Sequence, residues 1–148
     1  MRVLIQRVKH ASCTVDGQVT GEIRYGLLAF VGFCESDTVQ IIDKMVQKMT
    51  KLRIFEDADG KMNRSVLDEE GSVLSISQFT LYASCKKGNR PSFTQAAKAE
   101  QAARMYDLFN EALAKILPVG TGIFGADMKI ELLNDGPVTI WLDSEELF

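Results

Sequence analysis

Gly26-Leu27-Leu28-Ala29-Phe30-Val31-Gly32-Phe33 is an unbroken apolar run. A strand of this kind has no face to offer water, so the fold must cover it on both sides. Its surroundings supply the cover. Met1-Arg2-Val3-Leu4-Ile5-Gln6-Arg7-Val8 alternates as a half-buried strand does. Ser12 to Ile23 reads as a hairpin, with Asp16-Gly17 at the two turn positions that need positive φ. Asp37, with Gln40 three residues on, is placed to cap a helix whose inner face carries Ile42, Met45, Val46 and Met49. A second helix is expected from Ser92, boxed by Gln95, with Tyr106, Phe109, Leu113 and Ile116 at helical spacing until Pro118 and Gly120 end it. Strands are expected from Met128 to Leu133 and from Val138 to Leu142. The reading is an α/β (α+β) fold. A mixed, largely antiparallel sheet carries two main helices, in one compact domain over residues 1–148.

Composition excludes several function classes. The chain is 46% hydrophobic and 25% charged, which is a globular balance. No apolar run nears the roughly 20 residues a membrane span needs, and the N-terminus lacks a signal-peptide pattern, so a cytoplasmic protein is expected. Cys13, Cys34 and Cys85 are widely spaced, with no Cys-x-x-Cys pair, which argues against disulfides and zinc ribbons. With His10 as the one histidine, placed at the end of the first strand, neither a metal site nor a Ser/His/Asp triad is expected. Asp57-Ala58-Asp59-Gly60 opens like a calcium loop but lacks the later ligands, and reads as a tight turn. Asn63-Arg64-Ser65 fits a glycosylation sequon that a cytoplasmic protein would not use, and Glu145-Glu146 reads as a solvated tail. Net charge is −3, so nucleic acid is not attracted generally and an RNA contact needs a local basic cluster.

Two polar segments interrupt apolar strands. Ser77-Gln78-Phe79-Thr80 follows Val73 to Ile76, and its hydroxyls are either ordinary strand hydroxyls bonded to backbone or pocket groups. The sequel, Ser84-Cys85-Lys86-Lys87-Gly88-Asn89-Arg90-Pro91, is the densest cation cluster in the chain, suited to phosphate through Lys and Arg charge. The other segment, Asn134-Asp135-Gly136-Pro137-Val138-Thr139, is either a turn or a place where backbone carbonyls are aimed into a pocket. The sequence leaves both pairs of readings open.

The chain resembles the D-aminoacyl-tRNA deacylases, whose hallmarks are a Ser-Gln-x-Thr segment and an Asn-x-Gly-Pro-x-Thr segment. Here these are Ser77 to Thr80 and Asn134 to Thr139. The likeness extends to Gln6-Arg7-Val8, Lys61-Met62-Asn63 with Ser65, Arg90-Pro91-Ser92-Phe93 and Gly122 to Met128. It implies hydrolysis of the ester joining a D-amino acid, or glycine, to the terminal ribose of tRNA, without a cofactor, by a homodimer. It further implies a cis Gly136-Pro137 bond whose two carbonyls reach the partner's active site, bind the α-amino group and exclude L side chains. Ser77, Gln78, Phe79 and Thr80 would line the site around the ester, with N–H groups near Phe79 and Thr80 stabilising the oxyanion. Asn134, Thr139, Phe124 and Met128 join the substrate-binding set, and Lys86, Lys87 and Arg90 the tRNA-binding set. Membrane and DNA are not expected partners. Cys85 stands where small polar residues are usual and Lys86 where Arg is frequent; Lys lacks the bidentate fork. Neither Cys85 nor Thr80 has an obvious activating base as a nucleophile. The rival reading is a non-catalytic dimer that binds a tRNA acceptor end.

Overall fold

The computed structural model describes residues 1–148. Its spine is β1 (Arg2–Val15), one 14-residue strand where the sequence suggested a strand followed by a separate hairpin arm. His10 therefore lies inside a strand rather than at its end. Asp16 and Gly17 make the turn with φ of 49° and 76° and lead into β2 (Gln18–Ile23), which pairs antiparallel with β1. The apolar run forms β3 (Gly26–Gly32), antiparallel to the first half of β1 and buried almost throughout. α1 (Val39–Thr50) follows, then the short hairpin β4 (Phe55–Glu56) and β5 (Met62–Arg64), β6 (Ser72–Ser77) and a 3₁₀ turn at Phe79–Tyr82. α2 (Ala99–Ala114), β7 (Val119–Thr121), β8 (Lys129–Asp143) and the single turn α3 (Ser144–Leu147) complete the chain.

The main sheet runs β2-β1-β3-β6-β7, with β8 along the other edge of β1. It is mixed: β1 is antiparallel to β2, β3 and β8, while β3, β6 and β7 are parallel. One face packs under α1 and α2, where Val3, Ile5, Leu27, Val31 and Val73 meet Ile42, Met45, Met49, Phe109 and Leu113. The other face holds a smaller cluster of Val8, Ala11, Cys13, Leu28, Leu74 and Ile76 with no helix over it. The sheet curls to shelter that cluster. β2 returns onto β7, where Thr20 donates to the Thr121 carbonyl at 3.3 Å. A Cβ on Gly21 would stand 2.5 Å from the same oxygen, so glycine permits the approach.

The helix starts depart from expectation. Thr38, not Asp37, caps α1 and accepts from the Ile41 N–H. Asp37 is buried instead against the Met1 amino group at 2.5 Å, a charge pairing that outranks a cap. α2 begins at Ala99 rather than near Ser92. Ser92 exchanges backbone bonds with Ser84 at 2.8 and 2.9 Å, which holds it extended and out of a helix. The inner face of α2 carries Tyr106, Phe109 and Leu113 as expected, but the helix ends at Ala114 and leaves Ile116, half-buried, in the turn beyond it. Glu145 and Glu146 lie in α3, capped by the Asp143 carboxylate, rather than in a loose tail. Asp57 to Gly60 is the tight turn read from sequence, with Gly60 at φ 74°.

Candidate active site

β6 sits between two parallel neighbours, and its carboxyl end opens where the neighbouring chain turns away, the usual place for a ligand crevice in parallel sheet. Gln78 still donates its N–H to the Val31 carbonyl at 2.8 Å, and the backbone then tightens into the 3₁₀ turn. The first N–H groups of a helical turn have no partner within it. Phe79 and Thr80 occupy that position. Thr80 is thus in a turn, not a strand; its hydroxyl accepts from the Gln78 side-chain amide at 2.6 Å.

Beside this turn is a cavity of about 470 Å³ lined by Ile76, Ser77, Gln78, Phe79, Phe124, Asp127, Met128 and Ile130, together with Ala97, Ala99 and Ala102 of α2 and its approach. The alanines keep the helix start from filling it. Phe124 tilts against Tyr106 at 6.3 Å, and the Tyr106 hydroxyl donates to the Ser75 carbonyl at 2.7 Å. Burial raises the Tyr106 pKa, so the hydroxyl stays protonated, keeps its bond to Ser75 and holds the wall. Met128 is seated against Gly122, where a Cβ would come within 2.5 Å of its sulfur. The structure therefore brings together Ser77, Gln78, Phe79, Phe124 and Met128. Thr80 stands next to them without lining the cavity.

The basic loop is attached to this wall. The Ser84–Ser92 bridge closes it, and Phe93 meets Phe79 edge-on at 5.0 Å. Lys86, Lys87 and Arg90 are exposed and make no ion pair, so their charge is free for a phosphate.

Asn134 to Thr139 lies elsewhere. The expected two strands are the legs of the single β8, and both legs pair with β1. Between the Gln6–Thr139 and Val8–Asn134 pairs, residues 135 to 138 face Arg7 alone, so the backbone is thrown outward as a bulge. Gly136 has φ 116°, the Gly136-Pro137 bond is cis, and both residues are exposed. Asn134 ties the base of the bulge, donating to the Arg7 and Val138 carbonyls at 3.0 and 3.1 Å. Its amide oxygen accepts from Gln6 and Thr139, each at 3.3 Å. Arg7 clamps the rest: its guanidinium donates to the Asp135 carbonyl at 3.2 Å and the Ile54 carbonyl at 2.6 Å, and pairs with the Asp135 carboxylate at 3.1 Å. None of residues 134 to 139 lines the cavity of its own chain.

Sequence reasoning assigned no role to Arg7 or to the alanines. Arg7 had a signal, since it continues the core-facing period of Val3 and Ile5. Ala97, Ala99 and Ala102 had none, because alanine is common in any helix. His10 is exposed, Cys85 is exposed on the basic loop, and Cys13 and Cys34 are buried free thiols. No three His, Cys, Asp or Glu side chains converge as metal ligands, and no helix is long and apolar enough to cross a membrane.

A family model described as D-Tyr-tRNA(Tyr) deacylase matches residues 4–143. Among solved structures, one described as a c-Myc DNA unwinding element binding protein is 41% identical, with TM-score 0.91, covering 97% of this chain and 98% of its own. Another, described as a probable eukaryotic D-amino acid tRNA deacylase, superposes with TM-score 0.82 over 95% of this chain and 97% of its own; at 17% identity that likeness concerns the fold. With both hallmark segments on one sheet and the match spanning nearly the whole chain, the protein belongs to the D-Tyr-tRNA(Tyr) deacylase family and is a hydrolase of the D-aminoacyl ester of tRNA.

Proposed function

We propose that the enzyme works as a homodimer in which the cavity of one copy holds the terminal aminoacylated nucleotide and the Gly136-Pro137 bulge of the other inspects the amino acid. One observation carries the reading: the bulge is exposed, fixed by Arg7 and Asn134, and absent from its own cavity. A bulge that acts on substrate must then act on a neighbour's. A site for that neighbour is the uncovered sheet face, where Trp141, Leu4 and Phe30 stand in one row across β8, β1 and β3. Ile76 extends the row to the cavity. An apolar row of this kind on an uncovered face, with Trp141 exposed and Leu4 and Phe30 half-buried, is characteristic of protein contacts.

In this arrangement the Gly136 and Pro137 carbonyls accept from the substrate's α-amino group, and the backbone leaves no room for an L side chain. Glycine has no side chain to reject, so glycyl-tRNA is also a substrate. Exclusion of this kind discriminates through a clash with the wrong enantiomer. An aminoacyl ester is already activated, so positioning and oxyanion stabilisation suffice. Water, positioned by the neighbouring ribose hydroxyl, adds to the carbonyl carbon and gives up a proton. The Phe79 and Thr80 N–H groups hold the developing oxyanion, and the ester's ribose oxygen leaves and takes up a proton. Lys86, Lys87 and Arg90 hold phosphates next to the acceptor end.

The experiment is incubation with D-tyrosyl-, L-tyrosyl- and glycyl-tRNA. Release from the D and glycyl substrates alone is expected. Equal release from the L substrate removes the filter, and release from none leaves a tRNA-binding dimer without catalysis. Thr80→Ala in single-turnover assays is expected to lose less than about tenfold in rate; a loss of a hundredfold would make its hydroxyl a participant.

A further inference from the structure

α1 buries Ile42, Met45, Val46 and Met49 and turns a different chemistry outward. Lys44, Lys48 and Lys51 recur at i, i+4 and i+7, which sets them in one row along the helix. Arg53 continues it, its guanidinium fixed on Asn63 by bonds of 3.0 and 2.6 Å. These four cations line a shallow concavity of about 580 Å³, where Asp43 is the one acidic side chain. None of the four forms an ion pair, although the chain as a whole is acidic at −3. The surface shares no residue with the cavity beside Phe79. It does connect to the bulge: Ile54, next to Arg53, offers its carbonyl to the same Arg7 that holds Asp135.

We propose that this row is a phosphodiester-binding surface for the body of the tRNA, presented by the copy that lends its bulge to the partner's cavity. The inference rests on the dimer reading above and adds a second contact, distinct from the Lys86–Arg90 loop at the acceptor end. Exposed, unpaired lysines at helical spacing suit a polyphosphate backbone, because they neutralise charge and release counterions without reading bases. A small acidic ligand would not need a row of four.

The test is the triple variant Lys44→Gln/Lys48→Gln/Lys51→Gln, compared with wild type on D-tyrosyl-tRNA and on the D-tyrosyl ester of adenosine, which has no phosphodiester. KM for the tRNA is expected to rise roughly tenfold at moderate salt, and the slope of log KM against log salt to fall by about 2. Hydrolysis of the adenosine ester is expected to be unaltered. Unchanged tRNA kinetics and salt slope would overturn the proposal, as would an equal loss on both substrates. Fluorescence anisotropy with uncharged tRNA reads the surface without the reaction: weaker binding by the variant is expected, and equal binding overturns the surface. A wild type that hydrolyses neither ester sinks the proposed function, while the anisotropy still decides the surface.

Discussion

Arg7 is a cation at a core position, its side chain 6% exposed, with every strong contact directed at the bulge or at the chain leaving α1. Removing one partner of a buried charged network leaves the others desolvated and unpaired. Arg7→Ala is expected to lower unfolding stability by about 3 kcal/mol in urea titration and to lower kcat/KM for D-tyrosyl-tRNA beyond the loss of folded protein. Arg7→Lys, which cannot fork, should keep more stability than activity. Asp57 gives a pH signature. Its carboxylate accepts from the Asn63 amide at 2.7 Å and from the Lys61 and Asp59 N–H groups at 3.0 and 2.9 Å, which holds it below the usual carboxylate range. A depressed folded pKa contributes stability that is present above the unfolded value of about 3.9 and disappears as pH falls through the folded one. The difference in urea midpoint between wild type and Asp57→Ala is therefore expected to hold from neutral pH to about 4 and to shrink as the pH is taken below that, through the depressed folded pKa. Tyr82 shows what a residue-level reading misses: its hydroxyl is buried beside the Cys34 thiol without a well-formed hydrogen bond, and burial first, then Cys34 and Asp37, drives its pKa far up. Nothing in its sequence neighbourhood points to Cys34.

At the scale of elements, periodicity found what it could. The inner faces of both helices, the Asp16-Gly17 turn and the apolar β3 follow from spacing and turn chemistry. The boundaries did not. Ser92 carries the residue type of a helix cap, yet its backbone is committed to Ser84 across the basic loop, and only the tertiary partner shows this. β8 reads as two strands because Asn, Asp, Gly and Pro usually end one; both legs instead stay in register with β1. Close approach was also hidden. At Gly26 φ is 154°, and a Cβ would lie 1.9 Å from the Ser72 carbonyl oxygen in the parallel β3–β6 pair. Gly26→Ala is expected to cost more than about 3 kcal/mol and to strip early amide-exchange protection from β3 and β6, which hydrogen-exchange mass spectrometry would show.

For the whole molecule, the two hallmark segments were legible as chemistry but not as a geometry. The sequence contains both, and the fold holds them on separate surfaces, so whether they cooperate is a question of assembly. Trp141, 43% exposed on the open sheet face, is the place to ask it. Trp141→Glu is expected to yield monomers in sedimentation velocity and to depress hydrolysis of D-tyrosyl-tRNA at least about tenfold, while circular dichroism stays that of the folded chain. A monomeric variant with full activity and full chiral selectivity would overturn the shared site.

The length of β1 also bears on how the protein is made. Its residues 2 to 14 find their β8 partners at positions 129 to 143, more than a hundred residues later. On the ribosome, the first strand emerges long before the last, and its edge stays without hydrogen-bond partners until synthesis has passed β8. Pairings of such high contact order form slowly, and an unpaired edge is a site for aggregation. Nascent chains stalled before β8 should therefore depend on chaperone cover, and the assembled sheet should form only after residue 143 has cleared the exit tunnel.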